Sequence, residues 1–199
     1  MRSTHSPGRS AARPPWRREC RRRRWTQIAI EALRALVKQE STKATGNNAL
    51  RQRAFSERIS ELMRKYTNQQ LTSAEVIAEL IELAKEVVAE SARGAKFEPP
   101  LDDDQLAFFD AVATNESAVD VMGEGVLADI ARDLVAVMQR DIRTDWTVRD
   151  DVRAKLRTSI KRLLVKHGYP PDKQVDAIKL VMEQMEAMAP RHAEGRHDA

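Results

Sequence analysis

The chain has 199 residues, of which 42% are hydrophobic, 5% aromatic and 32% charged, with one cysteine and a net charge of +4. That length supports one domain with a sizeable core, and the shortage of aromatics favours helices packed through Leu, Ile, Val, Ala and Met over a sheet. The lone Cys20 excludes an intrachain disulfide and a CxxC zinc site, and no apolar run reaches the roughly 18 to 20 residues that span a bilayer; a reducing, cytoplasmic setting is expected.

The sequence pI of 9.4 invites a nucleic-acid reading, but the charge is unevenly spread. The first 25 residues hold nine arginines and one acid, Glu19, and so carry +8, which leaves the rest of the chain at −4. The basic charge therefore belongs to a head and not to the fold. Residues 1–24 have too few large aliphatics for a core and are expected to be disordered. A flexible tail, a Ser- and Arg-rich transit peptide and out-of-frame translation of GC-rich DNA all fit such a head.

From Trp25 the texture changes, and residues 25–189 read as one helical domain ahead of a polar tail, 190–199. In WTQIAIEALRALVKQE, Ile28, Ala32, Ala35 and Leu36 share a helical face, predicted to be the packed one, before STKATGNN breaks the pattern. Phe55, Ile59, Leu62, Met63 and Tyr66 then form the stripe of a second amphipathic helix. Thr72 and Glu75 make a capping box for a third, which closes near Gly94 as a C′ glycine. Its stripe, from Val76 to Val88, is wide enough to place it centrally.

Past Pro99 and Pro100, Asp102 and Gln105 open a short helix bearing Leu106, Phe109 and Val112. A helix bent at Gly123 to Gly125 follows, with Val126, Ile130, Leu134, Val137 and Met138 inward. Thr147 is placed to cap the next helix with Trp146 just before it, and Val148, Val152, Leu156, Ile160, Leu163 and Leu164 form its stripe up to Gly168 and Pro170. Asp172 caps a last helix packed through Val175, Ile178, Val181, Met182 and Met185. No segment alternates with period two long enough for a strand. The fold class is thus all-α, an irregular bundle of about six to eight amphipathic helices with disordered N- and C-terminal tails.

A search for chemistry yields no catalytic, cofactor-binding or metal-ligating residue. His5, His192 and His197 lie in the tails, and His167 stands at a helix end, where a cation suits the helix dipole. GEGVLA, residues 123–128, has the spacing of a dinucleotide fingerprint but lacks the preceding strand that gives this spacing its meaning. No Walker A lysine motif is present, and Asp102, Asp103 and Asp104 read as acids at a helix start. The helix after Trp146 carries Arg149, Arg153, Arg157, Lys161 and Arg162 on its charged side. Three readings are open for it: a solvated face, a protein contact or a phosphate-backbone contact.

LTSAEVIAELIELAKEV, LAFFDAVA, SAVDVMGEGVLADIARDLV and above all DWTVRDDVRAKLRTSIKRLLVKHGYPPDKQ resemble the C-terminal helical region of the R subunit of type I restriction-modification enzymes. The similarity runs in order from about Ile28 to Met188. In that family a nuclease domain and two RecA-like motor domains precede this region, and the helical end helps to dock the subunit on the methylase core. The resemblance implies a non-catalytic assembly module whose partners are the methylase (M) and specificity (S) subunits or the motor part of an R subunit, with DNA contacted only indirectly or weakly. The chain departs from the family by lacking the metal-binding nuclease residues and ATP-site motifs, so it is expected neither to cut DNA nor to consume ATP by itself. The abrupt change at Trp25 points to a truncated or split R-subunit product. Trp146, Arg149, Arg153, Tyr169 and Pro170 are the expected contact neighbourhood. The alternative is a free-standing nucleic-acid-binding protein that uses the basic helix and the arginine-rich head.

Overall fold

The structure, a computed structural model, describes residues 15–141 and 149–194, with side chains described for 24–140 and 149–189. Seven α-helices follow one another among the described residues: α1 (Pro15–Ala44), α2 (Ala49–Thr67), α3 (Ser73–Glu90), α4 (Asp103–Ala113), α5 (Glu116–Asp141), α6 (Asp150–Lys166) and α7 (Gln174–Glu194), with a 3₁₀ turn at Arg93–Lys96. No strand occurs among them, as the periodicity predicts.

α1 begins ten residues ahead of Trp25; residues 1–14 lie outside the described residues. Pro15 sits at the first helical position, where its missing N–H has no intrahelical partner to lose, and arginine is a good helix former. α7 continues through Pro190 to Glu194, and residues 195–199 lie outside the described residues.

The helices bury their apolar faces in two clusters. α1, α2 and α3 enclose Ile30, Val37, Phe55, Ile59, Leu62, Val76, Leu80, Leu83 and Val87. The buried face of α1 is not the predicted one: Ile30, Leu33, Val37 and Ala44 face the other helices, while Ile28, Ala32, Ala35 and Leu36 are exposed. Both sets have helical spacing, and both are apolar, so periodicity by itself could not choose between them. α3 is likewise not central. Its Thr72 capping box forms as predicted, but Ile81 and Val88 are exposed, which accounts for the excess width of its stripe.

The larger cluster is built by α4 to α7 around Phe108, Leu127, Ile130, Leu134, Met138, Leu156, Ile160, Leu164, Met185 and Met188, all but free of solvent contact. Phe97 meets the edge of Phe109 with ring centroids 4.8 Å apart. Asp102 and Gln105 form the capping box of α4. Gly123 breaks α5 with φ 74° and ψ 159°, a backbone region essentially reserved for glycine, so the predicted bend is present. Gly94 proves to be needed for a different reason from the one expected. α3 already ends at Glu90, and a Cβ on Gly94 would lie 2.3 Å from the Leu101 carbonyl oxygen; the same chain crossing is closed by a bond from Leu101 N to Gly94 O, 3.1 Å.

Between the clusters lies a polar seam. The turn between α1 and α2 lends it Asn47 and Asn48, which donate to Asp104 at 2.6 Å and to Asp110 at 2.5 Å on α4. Gln184 of α7, fully buried, accepts from Ala49 N at 3.0 Å and donates to the Asn47 carbonyl at 2.5 Å. Arg51 of α2 grips Glu90 with two bonds, 3.1 and 2.5 Å, and Arg93 lies 3.3 Å from the same carboxylate while pairing with Asp110. Arg51 is raised above the usual guanidinium range, chiefly by its bond to Glu90. Asp110 thus joins Asn48 and Arg93, and through Arg93 reaches Glu90.

Glu90 is only 5% exposed, and a buried charge that loses its partners is strongly destabilising. Glu90→Ala is expected to lower the unfolding free energy by roughly 2–4 kcal/mol, since Arg93 keeps only part of its neutralising charge. Glu86→Ala removes a pair with Arg58 that is about half exposed on both sides and is expected to cost under about 1 kcal/mol. Urea unfolding of the two variants measures the contrast. Asp133 of α5 supplies a pH-dependent link: His167 lies 2.9 Å and Lys166 3.6 Å from its carboxylate, and the hydrogen bond from His167 is the main reason the carboxyl is held below the usual range. A carboxyl lowered by folding adds stability above its unfolded pKa and loses it as pH falls through the folded value. Asp133→Asn should therefore flatten the fall in melting temperature below about pH 4, by a small amount because the carboxylate is nearly half exposed.

Candidate docking face on helix 6 and helix 7

Leu156, Ile160, Leu163 and Leu164 recur at helical spacing and are buried against the larger cluster, which fixes the orientation of α6. Its charged residues are thereby turned outward along two edges. Arg153, Arg157 and Lys161 succeed one another at every fourth residue beside α7, while Lys155, Arg162 and Lys166 follow the opposite edge. The predicted Thr147 cap and Trp146 lie outside the described residues. Helix α6 opens at Asp150 with Arg149 at the N-cap position, without a side-chain cap, and Asp150 and Asp151 place negative charge in the first turn, where the helix dipole favours it.

The far end of α6 is closed by a complete Schellman motif. Gly168 takes φ 74°, its N–H donates to the Val165 carbonyl at 3.0 Å, and Tyr169 N donates to the Leu164 carbonyl at 2.9 Å. Tyr169 turns inward from this motif. It is 2% exposed, its hydroxyl donates to the Val112 carbonyl at 2.8 Å, and burial pushes the phenol above its usual range. Helix α7 then starts at Gln174, and its first turn is closed by a bond from Ala177 N to the Lys173 carbonyl. Lys173 rather than Asp172 therefore holds the cap position.

α6 and α7 leave an open groove of about 630 Å³ between them. One wall is Arg153, Arg157 and Lys161; the other is Val175, Lys179, Glu183 and Glu186, with Ile178 and Met182 below. Val175 is 75% exposed, so an apolar side chain stands in water at the mouth. Arg153 is tied across the groove to Glu186 at 2.6 Å, and Arg149 to Asp151 at 3.1 Å. Arg157, Lys161 and Lys179 have no carboxylate within ion-pair distance among the described residues. The arrangement can hold an apolar side chain and neutralise carboxylates beside it.

The structure separates the expected contact residues. Arg149 and Arg153 stand at the start of α6, and Arg153 lines the groove. Tyr169 and half-buried Pro170 lie beyond its end, a helix of 17 residues away, or roughly 25 Å. Val175 was read as a packing position, and Lys179 was not singled out. Their place in the groove depends on how α7 lies against α6, which no local pattern encodes. The fourfold repeat of basic residues on α6 was visible. Elsewhere among the described residues, no group of three or more His, Cys, Asp or Glu side chains is placed to hold a metal, and no helix is long and apolar enough to cross a membrane. Gly123 to Ala128 lie within α5, with no strand before them.

Comparison with known proteins gives the chain a family. The chain is 32% identical over 160 residues to the type I restriction enzyme HindI endonuclease subunit of Haemophilus influenzae, a match covering 80% of this chain and 15% of that protein. It is 30% identical over 122 residues to a protein of Methanocaldococcus jannaschii described as the type I restriction enzyme MjaIXP endonuclease subunit, covering 61% of this chain and 11% of the relative. The chain thus spans less than a sixth of the length of these relatives. No solved structure matches it. The family model for the C-terminal region of HindI-like type I restriction enzyme endonuclease subunits matches residues 16–191, and the chain belongs to that family.

Proposed function

We propose that the chain is a non-catalytic assembly module of a type I restriction-modification enzyme, docking on the methylase core of M and S subunits or on the motor part of an R subunit. The α6–α7 groove is the observation that carries this reading. Its basic residues without carboxylate partners sit over an apolar floor, a combination that suits an amphipathic partner helix whose apolar side chains enter the groove and whose acids meet Arg157 and Lys161. DNA phosphates would gain from the arginines but nothing from Val175, Ile178 and Met182. Nor do aromatic residues interleave the basic ones as a single-strand stacking surface requires. DNA is therefore assigned to the assembled enzyme, and cleavage and translocation to its other parts, in the cytoplasm.

The proposed contact neighbourhood keeps Trp146, Arg149, Arg153 and Pro170 and extends along α6 to Arg157 and Lys161, while Tyr169, 2% exposed, serves it only as a buried support. Arg149 and Arg153 already hold intrachain carboxylates, so reversing them would disturb the fold as well as the surface. Arg157 and Lys161 are exposed, and their reversal acts on binding alone. Full-length chain co-expressed with M and S subunits, or with the motor part, is expected to co-purify stoichiometrically. Arg157→Glu with Lys161→Glu should weaken the complex at least tenfold, about 1.4 kcal/mol, while leaving the circular dichroism spectrum unchanged. If neither partner associates with the chain, the docking role fails. A salt-steep gel shift by the chain alone that this double variant abolishes would move the assignment to nucleic acid.

A further inference from the structure

Arg153 is the first of three cations that succeed one another at every fourth residue along the α6 wall of the groove, ahead of Arg157 and Lys161. Four residues of helix rise about 6 Å, so the row is about 12 Å long. The three do not stand alike. Arg157 and Lys161 are exposed and meet no carboxylate among the described residues, whereas Arg153 reaches across the groove to Glu186 of α7, 2.6 Å away. Glu183, the other acid of the α7 wall, pairs instead with Arg53 of α2 at 4.0 Å. Glu186 is therefore the groove's own acid that answers the basic row.

The fold leans little on that pair. Its side chains are 28% and 36% exposed, and the orientation of α6 is fixed by Leu156, Ile160, Leu163 and Leu164 on the larger cluster. An ion pair that keeps this much contact with water contributes little to stability. It does, however, set one carboxylate on the row of cations, which is the contact that an acidic partner helix would make.

We propose that Glu186 is an internal competitor for the groove, holding Arg153 until a carboxylate of the docked helix takes its place. The proposal rests on the docking role given above and says more about the partner, taken here as the methylase core. A helix that displaces Glu186 must carry three carboxylates along one edge, four residues apart, to meet Arg153, Arg157 and Lys161 together. Exchange of one carboxylate for another leaves the number of ion pairs at Arg153 unchanged. Affinity is thereby held below what the row of cations would give if Glu186 were neutral. An acidic segment without the full spacing meets Arg157 and Lys161 alone, so the bridge also favours the helix with the matching pattern.

A double-mutant cycle tests this. Calorimetric titration of the full-length chain into the methylase core of M and S subunits gives dissociation constants for the parent, Glu186→Gln, Arg153→Gln and the chain with both changes. Glu186→Gln should bind about threefold to fivefold tighter than the parent, with a steeper loss of affinity as salt is raised. In the Arg153→Gln background most of that gain should vanish. Helical circular dichroism should persist in all four chains, because glutamine removes each charge without reversing it and both side chains lie partly in water. A Glu186→Gln chain that binds no tighter than the parent overturns the proposal. So does an equal gain in both backgrounds, since plain repulsion between Glu186 and an acidic partner would persist without Arg153. A Glu186→Gln chain that unfolds shows the pair to be structural and overturns it as well. A parent chain that ignores the core also overturns it, and takes the docking role with it unless the motor part binds; a parent chain that binds while Glu186→Gln gains nothing removes this proposal alone.

Discussion

The buried carboxylate of Glu90, gripped by Arg51 and neighboured by Arg93, anchors the joint on which this bundle depends. Apolar surface holds each of the two helix clusters together, but little apolar surface is shared between them: Leu50 is the residue from the first three helices that packs into the larger cluster. The union is made instead by charge and amide groups, with Asp110 linking Asn48 and Arg93 and Gln184 bridging the turn before α2. Such a joint demands geometry more than the burial of area does, because each buried donor and acceptor needs its own partner. It follows that the relative placement of the two clusters is specified by a handful of polar residues, while each cluster tolerates ordinary aliphatic exchange.

Most of the helical content was legible because amphipathic helices write their period and their caps into the chain. The Thr72 and Asp102 capping boxes, the bend at Gly123 and the stop at Gly168 each rest on a local rule with a local cause. The failures share a cause as well. On α1 two apolar faces were available, and the choice of Ile30 and Val37 over Ile28 and Leu36 depends on where α3 lies, which is tertiary information. The Asn48–Asp110 bond spans 62 residues of sequence, so no window could display it. The same limit hid the far wall of the α6–α7 groove, although the basic repeat on α6 stood in plain view. Tyr169 was the ambiguous case, and its hydroxyl on the Val112 carbonyl makes it a strut of the larger cluster.

The groove and the apolar face that α1 leaves exposed lie on different helices and different clusters. The groove between α6 and α7 belongs to the larger cluster and is basic; the outer face of α1 belongs to the smaller one and is apolar. The chain matches the C-terminal part of far longer endonuclease subunits, and its two faces differ in chemistry. The hydrogen bonds of the seam are what join the clusters that carry those faces.

The crossing at Gly94 carries a consequence for how this protein can change. Only a hydrogen atom fits against the Leu101 carbonyl, so any other residue there must push that carbonyl aside. Leu101 is immediately followed by Asp102, whose side chain starts α4, and α4 supplies Asp104 and Asp110 to the seam. A mutation at one small turn would thus propagate, through eight residues of connecting chain, into the helix start and onward to the attachment of α1 and α2. The site is exposed to drift like any surface turn, yet it has almost no freedom to accept it.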